Sequence, residues 1–154
     1  ASLSSERDLA PDEAGLFLRP VERLLQLAEH LGLSDDPIVR QRLADAHARR
    51  VIGEWLFRRL ATDTGPVGAV AASLTKLHEA WSMWTLTQTA ASLLGPGVTA
   101  DAGAWGHYCW SDVVLGVQSQ RIAGGTDEIQ RNIIAERGLG LPREPQPSKG
   151  TTTP

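Results

Sequence analysis

Apolar residues recur at alternating spacings of four and three through the middle of the chain, at Val70, Leu74, Leu77, Trp81 and Trp84. That spacing keeps one side of an α-helix apolar over several turns, whereas a strand would scatter the same residues over both faces. Thr64-Gly65-Pro66 stands before the run and Gly95-Pro96-Gly97 after it. Glycine and proline both interrupt helices, so the seam belongs to one long helix with defined ends. Such a seam needs other helices to cover it, which points to a bundle.

The flanking sequence supplies those helices. Pro11 can open a first one, with Leu16, Leu24, Leu27 and Leu31 apolar; Pro20 should kink or split it, and Gly32 ends it before the turn Leu33-Ser34-Asp35. Asp36-Pro37 reads as an N-cap followed by the first helical position. The helix it starts runs to about Ala61, and Val39, Leu43, Ala46, Val51 and Trp55 supply much of its buried side. A fourth helix starts after Asp101 and carries Trp105, Trp110, Val113, Val114 and Val117. Apolar–polar alternation never persists, so no strand is expected. The expected fold is therefore all-α: an up-and-down bundle of four main helices plus a short C-terminal helix. The bundle covers residues 1–141, and the Pro-, Ser- and Thr-rich stretch 142–154 is expected to be a disordered tail.

Composition removes several function classes. The net charge is −3 over 154 residues, and the arginines are scattered among carboxylates, which gives no footprint for nucleic acid or a membrane surface. Lysine occurs only at Lys76 and Lys149. Cys109 is the single cysteine, so no internal disulfide forms and a reducing cytoplasm is the simplest location. No apolar run reaches membrane-spanning length, and the N-terminal residues lack the pattern of a signal peptide. His30, His47, His78 and His107 have no metal-ligand spacing with carboxylates or cysteine, so no metal site is expected. His107 and Cys109 are two apart on a helix and face different sides, against a Cys–His nucleophile.

The most specific string is Arg121-Ile-Ala-Gly-Gly-Thr-Asp-Glu-Ile-Gln-Arg-Asn-Ile-Ile-Ala-Glu-Arg137. Gly124 and Gly125 permit a turn and close approaches that a side chain forbids. Thr126 is an N-cap, Asp127 and Glu128 sit at the positive end of the helix dipole, and Gly138 is placed to end the helix. Ile129, Ile133 and Ile134 form its apolar stripe.

This string resembles the C-terminal signature of the acyl-CoA dehydrogenases, flavoenzymes that desaturate acyl-CoA thioesters. The likeness is strongest over residues 121–142. It extends more weakly to about Ser4 through Asp36-Pro-Ile-Val-Arg-Gln-Arg-Leu-Ala-Asp45 and Leu94-Gly-Pro-Gly97. It implies the family's C-terminal helical domain, which follows an N-terminal helical domain and a middle β-domain, and a parent enzyme that uses FAD in fatty-acid and lipid metabolism. It implies acyl-CoA as substrate, an electron carrier as acceptor, and homo- or hetero-oligomers of dehydrogenase subunits. Alone, the chain is expected to be inactive and not to bind FAD tightly. The resemblance assigns flavin contact to the turn, and Gly124, Gly125, Thr126 and Glu128 are the candidate cofactor-binding residues. The acidic pair Asp127 and Glu128 would repel a phosphate, so contacts to ribose or adenine groups fit better.

Three departures matter. Many members carry the catalytic glutamate where this chain has Gly124, which has no side chain to act as base. A minority branch places the base on the domain's first helix, near an Arg-x-x-Phe-Gly sequence that is absent here. Glu29 falls close to that position and is the candidate base. The family's flavin-facing Gln-x-x-Gly-Gly-x-Gly turn corresponds to Ala91-Ser-Leu-Leu-Gly-Pro-Gly97, where Gly95 and Gly97 match and the glutamine and first glycine do not. Gly95 and Gly97 are thus either cofactor-binding or a plain helix stop. Two further readings stay open: a non-catalytic partner subunit of a hetero-oligomeric dehydrogenase, and a flavin-free helical interaction module. The five tryptophans are either all core, or at least one anchors a subunit interface, as the resemblance implies.

Overall fold

Local chemistry sets the helix ends in the computed structural model, which describes residues 20–99 and 107–143. Helix α1 spans Pro20–His30 and stops where Gly32 turns left-handed at φ 67°. There the Leu33 amide donates to the Ala28 carbonyl and the Gly32 amide to Glu29, a paired closure of a helix end. Helix α2 spans Pro37–Thr62, and the Asp36 carboxylate accepts from the Ile38 and Val39 amides at 2.8 and 2.9 Å. A short 3-10 turn, Gly68–Val70, leads into α3, Ala71–Leu94. Gly95 takes φ 54° at the end of α3, and a 3-10 stretch runs on to Thr99. Helix α4 spans His107–Gln120, and α5 spans Asp127–Ile133 and continues as a wider π turn over Ile134–Gly138. Every regular element among the described residues is helical, as expected. Pro11, Leu16, Asp101, Trp105 and the tail from residue 144 lie outside the described residues.

Helix α3 is the pillar, packing against α1, α2, α4 and α5. Its deepest line is not the expected seam. Leu74, Leu77, Trp81 and Trp84 are half-buried, whereas Ser73, Ala80, Leu86, Thr87, Thr89, Ala90 and Leu94 are buried. Small residues let the neighbouring helices come close, and the larger side chains fill the flanks. Two of the buried hydroxyls are satisfied within the helix: Thr87 Oγ1 donates to the Trp84 carbonyl at 2.8 Å and Thr89 Oγ1 to Thr85 at 3.0 Å. Around this line Val21, Leu24, Leu27 and Ala28 of α1, Val39, Leu43 and Ala46 of α2, and Trp110 and Val113 of α4 complete the core.

Two further expectations need correction. Trp55 is 66% exposed, because it lies about 160° round α2 from Val39, whereas the inward face runs through Val39, Leu43 and Ala46 to Leu60. Val51 is only half-buried. In α5 the stripe Ile129, Ile133 and Ile134 is not the buried face: Ile129 is 51% exposed, its neighbours are half-buried, and the buried residues are Asp127 and Gln130. Gly138 lies in the last turn, as expected, and a Cβ there would fall 2.9 Å from a Val70 methyl. Glycine thus lets the terminal turn pack on the entry to α3.

Two substitutions separate core from cap. Trp110→Ala, at a side chain 1% exposed, should cost about 3–5 kcal/mol in denaturant unfolding. Asp36→Ala should cost about 1 kcal/mol, because it removes only an N-cap.

Candidate functional site

The turn between α4 and α5 is built from two glycines in conformations that L-residues avoid. Gly124 has φ 66° and Gly125 φ 102°. A Cβ on Gly125 would sit 2.8 Å from Gln130 Nε2, so this position is closed to side chains on two counts. A Cβ on Gly124 would meet nothing within 4 Å, and the residue is exposed. Both carbonyls are held. Gln130 Nε2 donates to the Gly124 carbonyl at 2.8 Å, and Lys76 Nζ donates to the Gly125 carbonyl at 2.5 Å.

Beneath the turn lies a charge cluster. Asp127, 2% exposed, accepts two hydrogen bonds at Oδ2 from Arg121, from Nε at 3.0 Å and from Nη2 at 2.8 Å. Lys76 Nζ is 3.9 Å from Asp127 Oδ1 and 3.4 Å from the Arg121 carbonyl. The Arg121 guanidinium lies 4.6 Å from the centroid of the Trp81 ring, which meets Trp84 edge-on at 5.6 Å. Trp81 is therefore a platform for Arg121 as well as a packing residue.

Thr126 caps α5, its Oγ1 accepting from the Ile129 amide at 3.4 Å. Glu128 is exposed, and its carboxyl is held below the ordinary carboxylate range by its own backbone amide first and by the Thr126 hydroxyl second. A carboxyl depressed in this way stabilises the fold above its unfolded pKa, and the contribution is lost as pH falls through the folded value.

The structure thus gathers Gly124, Gly125, Thr126 and Glu128 at one turn. The other candidates stand elsewhere. Glu29 is exposed on the last turn of α1, a helix that packs on α2 and α3. Gly95 and Gly97 lie at the far end of α3 from Lys76, about 28 Å away along the axis at about 1.5 Å per residue. Only an extended ligand, or two chains, could touch both glycine turns. His78 is a satisfied polar residue, with Nε2 2.9 Å from the Arg49 carbonyl. Among the described residues no group of histidine, cysteine and carboxylate side chains could hold a metal ion. A cleft of about 510 Å³ opens between α1, α2 and α3, and Gln120 is the residue on its rim nearest in sequence to the turn.

Lys76, Arg121, Asp127, Gln130 and Trp81 are the site residues that sequence reasoning missed. One signal was present: Arg121 and Asp127 flank the glycine pair, six residues apart. The partnership of Lys76 with them is tertiary and left no trace in the local pattern.

The family described as acyl-CoA dehydrogenase, C-terminal domain, matches residues 10–139. The chain is similar to acyl-CoA dehydrogenase IpdE1 of Mycobacterium tuberculosis, 34% identical over 149 residues, which cover 94% of this chain and 37% of that protein. It is 36% identical over 132 residues to acyl-CoA dehydrogenase IpdE1 of Mycolicibacterium smegmatis, covering 83% of this chain and 32% of that protein. The chain therefore spans about a third of the length of these curated relatives. No solved structure matches it significantly.

Asp127→Ala should leave two cations facing each other beneath the turn. The expected cost is about 3 kcal/mol, the low end for breaking a buried pair because Arg121 and Lys76 keep solvent contact. Unfolding with and without the substitution measures it, and a change below about 1 kcal/mol would mean the cluster is an exposed pair in all but appearance.

Proposed function

The chain belongs to the acyl-CoA dehydrogenase family, by its C-terminal domain, and we propose that it is the helical domain of an FAD-dependent enzyme desaturating an acyl-CoA thioester. In this reading it contributes to flavin binding and to oligomerisation, and the parent passes electrons to an electron carrier. By itself the chain neither holds the flavin tightly nor turns over. The observation that carries the reading is the Gly124–Gly125 turn. Its carbonyls are drawn to Gln130 and Lys76, which leaves a backbone surface free of side chains at Gly124. Such a surface fits the close approach of a planar ring or a ribose, and Thr126 and Glu128 beside it can exchange hydrogen bonds with hydroxyl groups.

Desaturation takes a proton from Cα and a hydride from Cβ, and FAD, when bound, accepts the hydride. The proton needs a base held close to the thioester. Gly124 offers none, so Glu29 is the base this chain can nominate. The exposure of Glu29 here means that another domain or subunit must cover it to create the dry pocket that suits a catalytic carboxylate.

The absent side chain at Gly124 also favours a second reading, in which this domain belongs to the non-catalytic subunit of a hetero-oligomer and an unlike chain supplies the base. The full-length gene product, purified alone and with the neighbouring dehydrogenase subunit, distinguishes the two. Flavin should co-purify, and acyl-CoA should bleach it. If Glu29 is the base, Glu29→Gln should lower kcat by roughly 10²–10⁴-fold. Unchanged turnover in that variant would assign the base to the partner. Colourless protein in both preparations would refute the flavin reading and leave a helical interaction module.

A further inference from the structure

Two adjacent glycines with positive φ make a turn that is loose unless something outside it holds it. Most of its anchors are local. Gln130 reaches back to the Gly124 carbonyl, the Gly125 amide donates to the Ile122 carbonyl, and Arg121 pairs with Asp127. These bonds shape the segment without fixing it to the bundle. Among the described residues, the hydrogen bonds that tie its backbone to the pillar come from Lys76, which donates to the carbonyls of Arg121 and Gly125 on either side of the turn.

The choice of acceptor is informative. Asp127 Oδ1 is buried and accepts no hydrogen bond among the described residues, while Lys76 Nζ stands 3.9 Å from it. A lysine placed for stability alone would close on that carboxylate, because a charge-assisted bond to a buried anion is the stronger one and an unsatisfied buried oxygen is costly. Instead the ammonium makes its shortest contact with the carbonyl of Gly125. The arrangement leaves stability unrealised at Asp127 and places a rigid clamp on the glycine backbone.

We infer that Lys76 is the positioning residue of the glycine turn, holding the Gly124–Gly125 backbone in the shape that receives its ligand. Its role rests on the flavin reading above for the identity of that ligand, but the clamp itself is a property of this chain. Arg121, stacked on Trp81, is the second support and steadies Asp127 beneath the turn.

The test uses the full-length protein with Lys76→Met, which keeps the aliphatic stem and removes the donors, and Lys76→Arg, which restores charge and donors. Amide hydrogen exchange of residues 122–128 in flavin-free protein is the first readout. Lys76→Met should speed it at least tenfold, with exchange in α1–α3 and the helical circular dichroism unchanged. Lys76→Arg should recover most of the protection. The second readout is flavin affinity, expected to fall at least tenfold in Lys76→Met and to recover in Lys76→Arg. Exchange confined to wild-type rates would overturn the clamp. Faster exchange with wild-type flavin affinity would overturn positioning and leave a structural contact. Wild-type protein without flavin would sink the functional reading, and exchange would still decide the clamp.

Discussion

The burial of α3 against four other helices is the constraint from which the rest of this structure follows. A helix surrounded on several sides cannot carry large side chains all round, and α3 does not. Ser73, Ala80, Thr87 and Leu94 recur at seven-residue intervals along its buried line, and three of the four are small. Hydroxyls in such a place would be costly if unpaired. Buried Thr87 and Thr89 donate to carbonyls three and four residues back, and half-buried Thr85 and exposed Ser92 do the same. The close approach is shared by the partners: Gly53 of α2 leaves room for His78, and Gly138 leaves room for Val70.

The same pillar builds the candidate site. Lys76 and Trp81 both stand on α3, and between them they engage the turn's carbonyls and the Arg121 guanidinium. A backbone surface of two glycines has little rigidity of its own, so its geometry is borrowed from the most buried helix of the bundle. The terminal turn over Ile134–Gly138 packs back on the 3-10 turn Gly68–Val70 that leads into α3.

What the sequence disclosed follows the range of the interactions involved. Asp36-Pro37, Gly32 and Gly95 act within one turn of chain, and each was legible as a helix end. The Gly124-Gly125-Thr126 turn was legible for the same reason. Periodicity told that α2 and α3 were helices but not which apolar residues face inward. In α2 the expected stripe steps five residues from Ala46 to Val51, which carries Trp55 off the inward face that continues to Leu60. Ile129 was read as the buried face of α5 because it is apolar, whereas Asp127 and Gln130 take that place. Asp127 is buried against Lys76 and Arg121, and Gln130 against the Gly124 carbonyl; a cation contributed by another helix leaves no local signature.

That exchange of roles in α5 changes the electrostatics of the turn. In the sequence, Asp127 and Glu128 form an acidic pair that would repel a phosphate. In the structure Asp127 is enclosed and faces two cations, so it contributes little negative potential outward. Lys76 and Arg121 outnumber it and keep partial solvent contact, so the cluster beneath the turn is net positive beside the exposed Glu128. In the proposed flavin site the Glu128 carboxylate is an acceptor for the hydroxyls of a ribose or a ribityl chain, beside a glycine backbone open to a flat ring. The sequence's argument against a phosphate, which rested on an acidic pair, therefore does not carry over: one of the pair is neutralised from within, by Lys76 of α3 and by Arg121 just past the end of α4.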